Sequence, residues 1–112
     1  MSSVPVSMMA NVQNVTLNAV KVGEAGSYFI TVRATVVPLF SSNSPLTVTF
    51  QITRAQNTVT AALPMVPDSG SNTAYVGYTA LNLTPGETIA ATVIAVENLQ
   101  VTTKETVLQN VP

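Results

Sequence analysis

Residues 81–98 read LNLTPGETIAATVIAVEN and constrain the fold more than any other stretch of the chain. Thr-Pro-Gly-Glu at 84–87 specifies a tight turn, because Pro85 fixes its own φ and Gly86 tolerates the left-handed region. Beyond the turn Ile89, Ala91, Val93 and Ala95 alternate with their neighbours, the period-two signature of a strand. The chain therefore turns a corner into a central β-strand, and the other segments lay out as strands around it.

Leu46 to Arg54 is the cleanest alternation. Leu46, Val48, Phe50 and Ile52 point one way, and Thr47, Thr49, Gln51 and Thr53 the other. Residues 28–37 set Tyr28, Ile30, Val32, Ala34 and Val36 against Phe29, Thr31, Arg33, Thr35 and Val37. Residues 12–22 alternate at Val15, Leu17 and Ala19, then change phase to Val20 and Val22, which predicts a bulge or a crossing between sheets there. Shorter runs at 58–63, 73–83, 88–97 and 101–109 complete the set, with Ala74, Val76, Tyr78 and Ala80 sharing a face. Loops fall at the proline-bounded 38–45 and at 64–72, and no segment has a helical period. The pattern predicts about seven short strands in an antiparallel β-sandwich. Residues 1–10 read as an N-terminal arm before a single domain at 11–112.

Composition narrows function by exclusion. With 46% hydrophobic and only 8% charged residues, and a net charge of −1, the chain has no field to attract nucleic acid. It has no Cys and no His, which removes thiolates and the commonest general base and metal ligand. No secretory signal is legible in MSSVPVSMMA, and the longest uncharged run is broken by Pro38 and Pro45, so no membrane span is expected. Glu24, Asp68, Glu87, Glu97 and Glu105 all fall near turns or strand ends and read as solvated acids rather than a catalytic pair. Asp68-Ser-Gly-Ser-Asn72 lacks the further carboxylates of a calcium site and reads as an ordinary turn. The sequons at Asn14 and Asn82 read as chance in a chain rich in Asn, Ser and Thr. Neither an enzyme nor a cofactor is expected.

Residues 78–98, from Tyr78 through Leu83, Pro85, Gly86, Ile89, Ala91, Val93 and Ala95 to Asn98, resemble the corner between the E and F strands of fibronectin type III domains. The resemblance implies a seven-stranded Ig-like or fibronectin type III-like β-sandwich and a non-catalytic binding or spacer role. The chain departs from the family in two places. The corner tyrosine falls on Ile89, and the tryptophan usual in the second strand is missing, with Ala34 near its place. No ligand residue carries over, since Asn98-Leu99-Gln100 holds no Arg-Gly-Asp.

Few charges leave a small domain without its usual protection against association. If Ile89, Ala91, Val93 and Ala95 face the core, the opposite face shows Ala90, Thr92, Ile94 and Val96, which is also largely apolar. An antiparallel sheet with one wet face normally alternates apolar with polar. Ile94 and Val96, with Val4, Val6, Met8 and Met9 of the arm, are accordingly candidate interface residues. The expected function is a structural subunit of a homo- or hetero-oligomeric assembly, such as a phage or virus head-decoration or tail-accessory protein. It would then sit in the virion. The alternative is a carbohydrate- or cell-surface-binding module, extracellular or a domain of a larger extracellular protein, with loops 38–45, 64–72 and 98–100 supplying contacts and Tyr75 and Phe40 as stacking residues.

Overall fold

The computed structural model describes residues 11–23, 26–37, 46–54, 57–58, 60–68, 73–97 and 99–112. They form β1 (Asn11–Lys21), β2 (Ser27–Val37), β3 (Leu46–Arg54), β4 (Asn57–Thr58), β5 (Leu63–Pro64), β6 (Val66–Pro67), β7 (Ala74–Asn82), β8 (Ile89–Glu97) and β9 (Gln100–Leu108). No helix occurs among the described residues. Every pairing is antiparallel.

The first sheet runs β1-β2-β7-β6, and the second runs β4-β3-β8-β9 with β5 also paired to β3. β4 and β5 share the outer edge of β3, at Thr53–Arg54 and Thr49–Phe50 respectively. Between them the Ile52 amide donates to the Thr60 hydroxyl at 3.0 Å, so one broken strand serves that edge. Each sheet is thus four positions wide, which corrects the expected seven strands to eight. The extra position arises where a single strand was expected at 58–63. The chain there pairs briefly with β3, crosses at the buried Met65, and pairs with β7 as β6. The Met65 amide donates to the Val48 carbonyl at 2.8 Å and fixes the crossing point.

Alternation decides the core. Tyr28, Ile30, Val32, Ala34 and Val36 of β2 face Val48, Phe50 and Ile52 of β3 and Ile89, Ala91, Val93 and Ala95 of β8 in one cluster. A fully buried side chain of this size contributes about 1.5–3 kcal/mol. Phe50 packs against the backbone of Gly77 on β7, where an added Cβ would lie 2.4 Å from Phe50 Cε1 and 3.1 Å from Met65 Cγ. Gly77 is therefore a close-approach residue that lets an aromatic ring fit between the sheets.

The expected bulge exists but sits earlier. The β1–β2 register shifts between Gln13 and Thr16, where Asn14 has φ 53°. Val20 and Val22 are exposed rather than carried to an inner face by a later phase change. The signal was the three-residue step from Val12 to Val15, which only an inserted residue reconciles with a common inner face. Lys21 of β1 and Lys104 of β9 stand on the core-facing side of the two edge strands and remain exposed. Such inward-pointing charges discourage edge-to-edge pairing.

The corner at 82–88 is tied from three directions. Glu87 N–H donates to the Thr84 carbonyl at 3.1 Å and Gly86 takes φ 89°, which makes 84–87 a type II turn. Arg54 then forks onto the Glu87 carboxylate, Nε to Oε2 and Nη2 to Oε1, both at 2.8 Å. The Thr84 amide donates to the same Oε1 at 2.6 Å. The fork and the Thr84 amide, in that order, hold the Glu87 carboxyl below the usual range, and the pairing raises Arg54. Finally the Gly86 amide donates to the Val111 carbonyl at 2.7 Å, and the Val111 amide donates to the Glu87 carbonyl at 2.9 Å. Val111 is buried, and the Tyr28 hydroxyl donates to the Pro112 carbonyl beside it.

Candidate functional site

The side chains that the fold leaves exposed define the site better than any cleft. On the outer face of the first sheet, register places Val20 of β1, Phe29 of β2 and Ala80 of β7 in one row, and Thr31 beside Tyr78 in the next. Phe29 and Tyr78 therefore meet on the diagonal, with ring centroids 5.5 Å apart and planes 20° from parallel. They remain 41% and 51% exposed, and Val20 50%. The rings present apolar surface with one phenolic hydroxyl, the composition of an interface anchor.

The rest of that face is neutral. Arg33 reaches across β7 to Asp68, Nη1 to Oδ2 at 3.0 Å. The crossing lies over Val76, the register partner of both Arg33 and Val66. Val76 is buried although it belongs to the outer face and not to the core cluster. Its burial was not legible in the sequence, because it depends on β2, distant along the chain, and on the Arg33–Asp68 crossing above it.

Ile94 and Val96 lie on the outer face of the second sheet, half-buried in the central strand and outside the core cluster. Their lateral partners are Thr49 and Thr103 for Ile94, and Thr47 and Val101 for Val96. Val4, Val6, Met8 and Met9 lie outside the described residues. Tyr75 pairs with Ala34 and is partly buried against the core; Phe40 lies outside the described residues. At the corner end of this face the small Ala90 leaves a depression of about 280 Å³ lined by Thr53, Thr88, Ile89, Ala90, Glu105 and Val107.

The acids divide by environment. Glu105 is exposed, Asp68 pairs with Arg33, and Glu87 is clamped by Arg54. Glu97 contradicts the expectation of a solvated acid, being fully buried. The alternation that buries Ile89, Ala91, Val93 and Ala95 continues to 97, and period two outweighs the tendency of a charge to stay outside. Among the described residues no three His, Cys, Asp or Glu side chains gather where they would hold a metal ion. No helix among them is long and apolar enough to cross a membrane.

No protein-family model matches the chain, and neither the curated proteins nor the solved structures give a significant match.

Proposed function

We propose that this chain is a non-enzymatic Ig-like β-sandwich that works as a docking subunit of a larger protein assembly. The observation that carries the reading is the exposed Phe29–Tyr78 stack, set among Val20 and Ala80 on a face whose Arg33–Asp68 charges neutralise one another. Two half-exposed rings offer on the order of 200 Å² of aromatic surface. That suits the centre of an interface whose rim supplies the remainder of about 800 Å² per partner. Lys21 and Lys104 guard the β1 and β9 edges against pairing with another chain, which favours the sheet faces as contact surfaces.

The Ig-like assignment is supported by strand order. Immunoglobulin-type sandwiches place strands ABED in one sheet and add C′ to CFG in the other. With β1, β2, β7 and β6 as A, B, E and D, the second sheet follows as C′, C, F and G. The type III resemblance at the corner fits this assignment. Where that family has a corner tyrosine, Ile89 is buried and the Arg54–Glu87 fork ties the corner instead.

Within this reading a head-decoration or tail-accessory protein of a phage or virus is the concrete form we favour, on the low charge and the apolar faces. Size-exclusion chromatography with light scattering tests it. Concentration-dependent association, or retention on a capsid or tail lattice, is expected. A monomer at every concentration that binds no such lattice contradicts it, and binding to a glycan array instead would transfer the aromatic stack to the carbohydrate alternative.

A further inference from the structure

We propose that the Arg54–Glu87 pair is an acid-released latch that decides whether residues 109–112 stay docked over the corner end of the core. The inference goes beyond the docking role and is independent of it. Val111 exchanges two backbone hydrogen bonds with the turn, from Gly86 N–H and to the Glu87 carbonyl, and the Tyr28 hydroxyl holds Pro112. Both Val111 bonds are made by the turn backbone, whose shape depends on the Glu87 carboxylate accepting from Thr84 N–H.

The same carboxylate is anchored to the second sheet by the Arg54 fork, and Arg54 also donates to the Asn82 carbonyl at 3.3 Å. One carboxylate therefore connects β3, the turn and the docked segment. A proton on it removes the charge-assisted half of both Arg54 bonds, and the turn loses its brace. What opens is specific: Val111 is a member of the core cluster, and its departure uncovers the end of the sandwich where Leu83 and Ile89 are buried.

One other group beside the latch titrates in the same range, the α-carboxyl of Pro112 in the chain tested, and any pH response that Glu87→Gln leaves belongs to it. Arg54 of β3 is the charged group in contact with Glu87. From β9, Glu105 lies across the depression that it shares with Thr88, the residue after Glu87. From β2, Tyr28 reaches the segment through Pro112. Residues 109–112 carry no titratable side chain. The depressed Glu87 carboxyl sets the sign. A group whose folded value lies below its unfolded one stabilises above the unfolded value of about 4.3, and that contribution is lost as pH falls through the folded value.

Amide hydrogen exchange followed by NMR on the intact chain tests the latch. The readouts are the Val111 and Gly86 amides, with Val93 as a core reference. In the wild type, protection at Val111 and Gly86 should fall as pH drops from about 6 to about 3, by about tenfold for each unit by which Glu87 is depressed, and should stay well below that of Val93 throughout. In Glu87→Gln both amides should already be poorly protected near neutrality and respond little to pH. Arg54→Gln should also lower protection of both amides near neutrality while keeping a smaller pH response, since Glu87 still accepts from Thr84 N–H, and it serves if the first variant does not fold. Val111 protection that is constant across the range overturns the proposal. So does Val111 protection as high as that of Val93, or a pH response in Glu87→Gln equal to that of the wild type.

Discussion

Replacing Gly77 with Ala tests the inter-sheet packing most sharply. The new Cβ would lie 2.4 Å from Phe50 Cε1, 2.7 Å from Cδ1 and 3.1 Å from Met65 Cγ. Carbon atoms prefer roughly 3.5–4.0 Å, so the ring has to give by about 1 Å. Phe50 has little room to do so, being fully buried between the sheets, with Met65 also buried. Gly77 does not have positive φ, so Ala is allowed by the backbone there and gains about 0.4–1 kcal/mol through the unfolded chain. Overpacking costs about 1–3 kcal/mol, and a clash with a boxed aromatic belongs at the upper end. The net expectation is a loss of about 1–2 kcal/mol, seen by far-UV circular dichroism as a lower urea midpoint with an unchanged slope. The double variant Gly77→Ala/Phe50→Leu should lose less than the sum of the two single losses, because the smaller side chain relieves the clash. A single Gly77→Ala variant as stable as the wild type, or more so, would refute the close approach.

Three further outcomes are expected. Val93→Lys should unfold the protein, since it buries an unpaired charge at a cost of several kcal/mol, whereas Ile94→Lys on the outer face should keep the fold and weaken association; equal losses in thermal melts would place Ile94 in the core. Leu99→Gly should stabilise by about 0.5–1 kcal/mol, because Leu99 sits at φ 66° while 91% exposed and gives up strain without losing burial; an unchanged or lower melting temperature would count against that strain. Asp68→Asn should cost under about 0.5 kcal/mol, its pair with Arg33 being exposed, and Glu87→Gln should cost clearly more; chemical denaturation giving the reverse order would contradict the ranking.

What the sequence made legible follows from where each feature's information resides. The inner faces of β2, β3 and β8 were readable because Ile30, Val32, Phe50, Ile52, Ala91 and Val93 obey a local period of two. The corner was readable because Pro85 and Gly86 carry their backbone preferences with them. Glu97 follows the same period into the core, against the solvated position that its charge alone suggests. The Phe29–Tyr78 stack and the Arg54–Glu87 fork were not readable. They depend on β2 lying beside β7 and on β3 ending under the corner, which is topology rather than pattern. The site therefore escaped the sequence more than the fold did, and the face singled out by Ile94 and Val96 is one of two apolar faces.

The central claim is that the Phe29–Tyr78 face is a docking surface. Sedimentation velocity of the wild type beside the double variant Phe29→Ser/Tyr78→Ser measures it most directly, with circular dichroism to verify the fold. Both rings project from the outer face and neither belongs to the core cluster, so the variant should stay folded. Association in the wild type that the variant loses is the predicted result. A folded variant that associates as strongly as the wild type would contradict the claim.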